Sequence, residues 1–176
     1  MKHWLVGTLA GAVLFATGGM ALAQEESTNR VNAETDWSVF VEDDPTQCWV
    51  VSTPRETVNT RDGRVVSVRR GEILMFVSFW PGQDRLGEVS FTGGYPFAPD
   101  SNVTLEIGDS TFQLWTDGEW AWPASENDDA QIITAMKRGV NAVLSARSSR
   151  GTTTKDTFSL LGFTAAVEEA ERRCTG

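Results

Sequence analysis

The feature that most constrains the fold is the closing stretch, residues 152–174, which ends in one of the chain's two cysteines. Its first part is rich in threonine and should be extended, because β-branched side chains pack well on a pleated sheet. Gly162 should end that strand. Four residues after it recur at helical spacing, namely Phe163, Val167, Ala170 and Cys174. The spacing predicts a short helix that buries a cysteine against the core.

Residues 1–23 have the features of a secretory signal peptide. Lys2 and His3 give a charged start, residues 4–16 are nearly all apolar, and Ala21-Leu22-Ala23 matches an Ala-x-Ala cleavage site. The apolar run is too short for a comfortable membrane span, so we expect export and cleavage, with a retained N-terminal anchor as the alternative. The mature chain would then act in the periplasm or outside the cell, with no membrane span.

The other cysteine, Cys48, lies early in the mature chain, and the sequence favours a disulfide between Cys48 and Cys174. Export would place both residues in an oxidising compartment, where cysteines pair. Free buried thiols and intermolecular pairing are the alternatives. A redox-active pair would need Cys-x-x-Cys spacing, which this pair lacks.

Composition excludes several classes of function. The 15 basic residues include Lys2, so the mature chain keeps 24 acidic residues against 14 basic ones. Such a surface repels nucleic acids and anionic membranes. The single histidine, His3, leaves with the signal peptide, so no imidazole remains for general base catalysis or metal ligation. Nucleic acid is therefore a poor candidate partner, and we expect no metal or cofactor.

The pattern of the remaining chain predicts its domain organisation and fold class. Residues 24–36 are polar and aperiodic and predict a flexible leader before a single domain over residues 37–176. About nine short strands alternate with turn signals in that domain, among them Asp62-Gly63, Gly108-Asp109 and Asp117-Gly118. The almost continuously apolar run 73–80 predicts a central strand, and a capping box from Ser125 predicts a helix over 127–138. The fold class is mainly β: one antiparallel β-sandwich or barrel-like domain with two short helices.

Three stretches of the chain form a recognisable set. They are Asp36-Trp37-Ser38-Val39 with Cys48 shortly after, Met136-Lys137-Arg138-Gly139, and the closing Phe-Ser-Leu-Leu-Gly-Phe-Thr-Ala-Ala of residues 158–166. With them the mature chain resembles the invasion-associated locus B family of exported bacterial proteins. The resemblance implies a periplasmic or surface β domain with no established enzymatic activity, named for a role in the entry of some pathogens into host cells. Many members pair a cysteine near the opening tryptophan. This chain has Val39-Phe40-Val41 there, which leaves Cys48 to pair with Cys174.

Aromatic residues supply the candidate ligand surface. Trp120 and Trp122 stand two apart on a predicted strand, so their rings share one face. Flat indole rings stack on sugars or anchor protein interfaces. Burial between two sheets is the other interpretation, although the adjacent Glu119 favours a surface position. The candidate surface consists of Tyr95, Trp115, Trp120 and Trp122, with Phe97 nearby.

Paired carboxylates suggest a second hypothesis, a hydrolase that acts on envelope polysaccharide. Glycosidases use two carboxylates about 5–10 Å apart and need no histidine. The candidate pairs are Asp117 with Glu119 and Asp128 with Asp129. The first pair flanks a hairpin turn, and the second lies in the first turn of a helix, where acids are favoured anyway. We therefore predict no catalytic residue.

Two further motifs are weak. Asp43-Asp44, and Asp100 with Asn102, lack the oxygen-ligand spacing of an EF-hand, so we predict no calcium site. Arg150-Gly151 lacks the spacing of a phosphate loop and indicates a hairpin turn with solvated charges.

The sequence thus predicts an exported, non-enzymatic binding module whose partner is an envelope protein or a glycan. A purely structural envelope protein, with all its tryptophans buried, is a third hypothesis.

Overall fold

The computed structural model describes residues 29–43 and 46–175. The expected signal peptide (1–23), the first part of the expected leader, and Asp44 and Pro45 lie outside the described residues. Twelve strands and two α-helices occur in the described part of the chain. In chain order they are β1 (Arg30–Glu34), β2 (Trp37–Asp43), β3 (Thr46–Ser52), β4 (Glu56–Arg61), β5 (Arg64–Val65), β6 (Leu74–Trp80), β7 (Arg85–Thr92), β8 (Asn102–Ile107), β9 (Ser110–Asp117), β10 (Trp120–Trp122), α1 (Glu126–Arg138), β11 (Asn141–Arg147), β12 (Thr153–Ser159) and α2 (Phe163–Thr175).

All the strands belong to one antiparallel sheet, in the order β1-β2-β3-β6-β7-β10-β9-β8-β11-β12-β4-β5. The sheet curls without closing into a barrel, since β1 and β5 are its two edges in the described chain. Phe91 on β7 and Phe158 on β12 are separated by four strands in this order, yet their ring centroids lie 6.1 Å apart. The predicted mainly β, antiparallel domain with two helices is confirmed.

Tight turns connect neighbouring strands where the sequence places Asp-Gly or Gly-Asp. Asp62 and Gly63, between β4 and β5, have φ angles of 51° and 75°. A two-residue turn of type I′, which matches the strand twist, needs positive φ at both central positions, and glycine and aspartate tolerate this well. Between β9 and β10 the central residues are Gly118 and Glu119, because Asp117 pairs with Trp120; only Gly118, at φ 59°, has positive φ, as in a type II′ turn. These hairpins match the prediction.

The core lies on the concave face of the sheet. Alternate residues of each strand point inward, so seven strands each contribute a side chain with no exposed surface. These are Val39, Val50, Val77, Val89, Leu105, Leu114 and Leu144, each with 0% exposure. Helix α1 adds Ile132 and Met136, and its N-terminus is capped by Ser125 as predicted. In residues 29–43 and 46–175, neither helix has the length and apolarity to cross a bilayer.

Helix α2 covers one end of this core and is tied to it covalently. Its buried stripe contains the four residues that the spacing predicted, together with Ala166. Cys174 forms a disulfide with Cys48 on β3, across 126 residues of sequence and a Cα–Cα distance of 6.0 Å. The ring of Phe163 meets that of Trp37 edge-on at 4.9 Å. The predicted disulfide and the closing role of the helix are both found.

The N-terminal side of the domain differs from the prediction. Residues 30–34, assigned to the flexible leader, form strand β1, which pairs antiparallel with β2. The sequence pattern missed it because β1 is an edge strand with three exposed residues and therefore no apolar alternation. Gly162, at φ 87°, lies beneath it, and a Cβ there would come within 2.0 Å of the Glu34 carbonyl oxygen. This glycine both ends β12 and lets β1 approach α2 closely.

Candidate functional site

A set of partly exposed aromatic rings lies on the convex side of the sheet, opposite the core. Strands β2, β3, β6 and β10 each carry at least one ring outward, because side chains alternate between the two sides of a strand. The set, called here the aromatic face, consists of Phe40, Trp49, Phe76, Trp80, Trp120 and Trp122.

The rings of the aromatic face are ordered by contact with one another. Phe40 and Trp49 are direct cross-strand partners, with their rings stacked at 5.4 Å and an interplanar angle of 1°. Trp120 contacts Phe76 at 5.8 Å and Trp122 at 6.3 Å. Aromatic contacts of this kind fix ring orientation without burying both faces of each ring. The result is a set of flat surfaces held in place.

Polar groups border these rings in a groove of about 440 Å³. The groove is lined by five rings of the aromatic face and by Glu42, Gln47, Ser78, Glu88 and Ser90. A second cavity, of about 820 Å³, shares Trp80, Trp122 and Glu88 with the groove and extends to the start of α1. The two cavities adjoin at these three residues, and we call the pair the aromatic groove. Apolar walls with a few polar groups are typical of ligand sites.

The indole N–H groups of the groove differ in their partners. Trp80 Nε1 donates to the Gln47 side-chain oxygen at 3.0 Å. No protein acceptor is found in the described residues for Trp49, Trp120 or Trp122. Trp120 is 38% exposed. Indole groups that face water in this way can donate to a bound ligand.

A family model described as Invasion associated locus B (IalB) protein matches residues 37–171. The chain belongs to this family. The crystal structure of invasion associated protein B from Bartonella henselae is similar, with a TM-score of 0.52 at 17% identity, and the match covers 79% of this chain and 94% of that chain. At this identity the likeness shows the fold alone. No curated protein matches the chain.

The IalB match confirms the resemblance read from the sequence. Every residue of the aromatic face lies between positions 37 and 171. Cys174, in contrast, lies just beyond the matched region.

The structure brings together only some of the predicted surface residues of this IalB-family chain. Trp120 and Trp122 share the aromatic groove. Trp115 is the cross-strand partner of Trp122 on β9 and is 61% exposed, but it does not line the groove. Tyr95 lies elsewhere, with its hydroxyl 2.5 Å from the Thr154 hydroxyl and the Arg70 guanidinium over its ring. Burial raises the pKa of Tyr95. The nearby Phe97 is buried in the core.

Four members of the aromatic face were not among the predicted site residues: Phe40, Trp49, Phe76 and Trp80. A signal was present in the sequence, because Phe40 disturbs the alternation of β2 and Phe76 lies in the continuous apolar run of β6. An apolar residue on the side of a strand opposite its core residues indicates that this side also has a use. The pairing of distant strands was needed to see that the rings converge.

Of the two acidic pairs, Asp128 and Asp129 have structural partners. Asp128 accepts from the Ser125 hydroxyl at 2.8 Å in the cap of α1. Asp129 accepts from the backbone N–H of Val89 at 2.8 Å. Burial raises the pKa of Asp129 to about 6, and the carboxylates of Glu88, Asp128 and Glu126 add to the rise. Asp117 and Glu119 are exposed around the β9–β10 turn. In the described residues, no group of three or more acidic, cysteine or histidine side chains is placed to hold a metal.

Proposed function

We propose that this IalB-family protein is an exported, non-enzymatic binding module that holds a neutral glycan in the aromatic groove. The observation that carries the proposal is the aromatic face itself. Folded proteins seldom leave a contiguous set of large rings uncovered unless the surface has a partner. Five strands contribute to the groove, so the surface depends on the whole fold rather than on one loop.

The chemistry of the groove favours a sugar chain. Indole rings stack against the C–H faces of sugars, while hydroxyl groups need acceptors and donors at the rim. Glu42 and Glu88 supply carboxylate acceptors, and Gln47 and Ser90 supply both kinds of group. A protein partner would also use aromatic anchors, but it would favour a rim that combines both signs of charge.

The charge of the groove favours a neutral ligand over an anionic one. Glu42, Glu88, Glu126, Asp84 and Asp129 line its two parts, and Arg85 is the one basic lining residue in the described chain. Arg85 is paired with Glu88 at 2.7 Å. Anionic polymers would therefore meet net repulsion, both locally and from the formal net charge of −9.

The compartment is part of the proposal. The signal-peptide pattern of residues 1–23 supports export, and the Cys48–Cys174 disulfide is the kind of bond that persists in an oxidising environment. A glycan of the bacterial envelope is then the ligand within reach, in the periplasm or at the cell surface.

The test measures binding of a panel of neutral oligosaccharides by titration calorimetry. The mature protein is compared with the double variant Trp120→Ala/Trp122→Ala, and with Trp115→Ala as a control that removes an exposed indole outside the groove. We expect a member of the panel to bind, the double variant to lose at least tenfold in affinity, and Trp115→Ala to keep it. Folding of each variant is checked by circular dichroism.

Two outcomes would contradict the proposal. Failure of every neutral glycan, together with retention of an envelope protein on immobilised mature protein but not on the double variant, would make the aromatic face a protein interface. New reducing ends in the glycan incubations, abolished by Asp129→Asn, would favour the carboxylate hydrolase instead.

A further inference from the structure

A separate cavity of about 520 Å³ lies away from the aromatic groove and has the opposite charge. It is bounded by the β11–β12 turn, the loop after β7 and the segment that leads into β6. Four arginines line it, namely Arg61, Arg69, Arg70 and Arg150. Glu119 is the one acidic lining residue in the described chain. We call this the arginine cavity.

The wall of the arginine cavity is rigid. Arg70 donates to both carboxylate oxygens of Asp156 at 2.7 and 2.6 Å, and to the Gly93 carbonyl oxygen at 2.8 Å. Both partners of this ion pair are almost completely buried. Gly94 lies so close to Gly71 that a Cβ would come within 2.6 Å of the Gly71 carbonyl oxygen. Two chain segments are thereby locked together at the base of the cavity.

The other three arginines have guanidinium donors to spare. Arg61 donates to the Thr152 hydroxyl at 2.7 Å, which uses one of its five N–H groups. Arg69 and Arg150 have no side-chain hydrogen bond or ion pair within residues 29–43 and 46–175. All three are exposed, so the cavity is open to a ligand. Asp156 neutralises the charge of Arg70, but not that of the other three arginines.

Like charges on one cavity repel each other unless an anion lies between them. This repulsion is notable in a chain whose acidic residues outnumber its basic ones by 24 to 15, because four of those basic residues line one cavity. Guanidinium groups match the geometry of carboxylate and phosphate oxygens and bind them in pairs of hydrogen bonds. The hydroxyls of Ser149 and Thr154 add further polar groups.

We propose that the arginine cavity is a binding site for an anionic group, a carboxylate or a phosphate, carried by a small ligand. Arg61, Arg69 and Arg150 hold the anion, and Arg70 fixes the wall behind it. Val68, Tyr95 and Pro96 give the cavity an apolar side, which suits a ligand with a ring or carbon body beyond its charged group. The site is independent of the proposed glycan site, since the two share no residue.

The test uses the mature protein and two probes, inorganic phosphate and glucuronate, at constant ionic strength set with sodium chloride. Binding is followed through backbone amide shifts in NMR spectra. The variants are Arg69→Gln/Arg150→Gln, which removes two unpaired cations, and Glu119→Gln, which removes the opposing charge. Arg64→Gln is the matched control, because Arg64 is exposed on β5 as the strand partner of Arg61 but does not line the cavity.

We expect saturable shifts at residues 148–152 with at least one probe. The double arginine variant should weaken binding at least tenfold, Glu119→Gln should strengthen it by a few-fold, and Arg64→Gln should leave it unchanged. Response to phosphate alone identifies a phosphoryl ligand, and response to glucuronate alone identifies a carboxylate on a sugar. Shifts that fail to saturate, or that change equally in the Arg64→Gln control, would overturn the proposal. Trp120→Ala/Trp122→Ala should leave anion binding intact, which separates failure here from failure of the glycan proposal.

Discussion

The two sides of the sheet differ in this protein: one side is buried in the core, and the other carries the aromatic groove. On β6, Met75 and Val77 point into the core with 0% exposure, while Phe76 and Ser78 point outward into the aromatic groove. The inner side is covered by α2 and closed by a disulfide, and the outer side has no cover in the described chain. Both sides are rich in aromatic residues, so composition alone does not separate a structural ring from a binding ring.

Trp37 and Trp120 illustrate how exposure and hydrogen bonding distinguish a structural ring from a ring that is available for binding. Trp37 is 1% exposed, and its Nε1 donates to the Ser159 carbonyl oxygen at 3.0 Å. Trp120 is 38% exposed and has no such acceptor in the part of the chain that the structure describes. A buried indole needs a partner for its N–H, whereas an exposed one is solvated and remains available. The inner side therefore provides stability, and the outer side carries the surface that we propose for recognition.

The largest expected effect is on the inner side. Trp37→Ala removes a fully buried ring, its contact with Phe163 and the hydrogen bond to Ser159. We expect the free energy of unfolding to fall by about 3–5 kcal/mol, the usual cost of deleting a large aromatic side chain from a core. Urea denaturation measures it. A loss below about 1 kcal/mol would break the contrast between the two sides.

Removal of the disulfide should have the next largest effect. The double variant Cys48→Ala/Cys174→Ala should lose about 2–4 kcal/mol, because the unfolded chain is no longer constrained across a long loop. Thermal and urea unfolding of oxidised protein and variant give the value. Glycan binding by the folded fraction should persist, since neither cysteine lines the aromatic groove. Loss of binding in folded variant would show that the two sides are coupled.

Asp129 lies between the two sides of the sheet. It lines the aromatic groove from α1, and it accepts a hydrogen bond from the backbone N–H of Val89, whose side chain is in the core. Its pKa is raised to about 6 by burial, so the folded state favours the protonated carboxyl. Its contribution to stability is therefore complete below about pH 4 and is lost as the pH rises through 6. Asp129→Asn keeps an oxygen acceptor for Val89 and stays neutral.

We expect Asp129→Asn to be more stable than the unmodified protein above pH 7 by about 1 kcal/mol, less than the ~3 kcal/mol of the full pKa shift, because solvent screens a carboxylate that is only half-buried. The difference should shrink towards zero near pH 4. Urea denaturation at a series of pH values checks this. A variant that is less stable at every pH would mean that the ionised carboxylate is the form that supports Val89.

The smallest effect is expected at Trp115. It is 61% exposed on the outer side, so Trp115→Ala should change the free energy of unfolding by no more than about 0.5 kcal/mol. The same chemical change thus spans nearly the full range of mutational effects, according to the side of the sheet on which the tryptophan lies. A large loss at Trp115 would show that the outer rings also support the fold.

Local patterns were enough to predict the elements of this fold. The Asp-Gly turns, the Ser125 cap and the helical spacing after Gly162 are signals within a few residues, and each is found where expected. The pairing of Cys48 with Cys174 followed because only two cysteines were available. Strand β1 was missed because an exposed edge strand buries too little to leave an apolar pattern.

The candidate site was harder to predict because it depends on strand neighbours that are distant in sequence. Trp49, Phe76 and Trp120 meet only because β3 pairs with β6, β6 with β7 and β7 with β10. Periodicity tells which side of a strand a residue occupies, but it does not tell which strand lies beside it. For the same reason Tyr95 was grouped with the tryptophans, although the loop after β7 carries it to the arginine cavity.

The disulfide also bears on how the protein matures in a cell. Cys48 lies on the third strand and Cys174 follows the twelfth, so all twelve described strands have been synthesised before the second thiol exists. The intramolecular disulfide therefore cannot form until the sequence of the whole sheet has been made. With two cysteines in the sequence, one oxidation step has one intramolecular product, and a disulfide isomerase has no mispaired form to correct. A host strain that has a thiol oxidase but lacks the isomerase should give the same yield of disulfide-bonded protein as its parent strain.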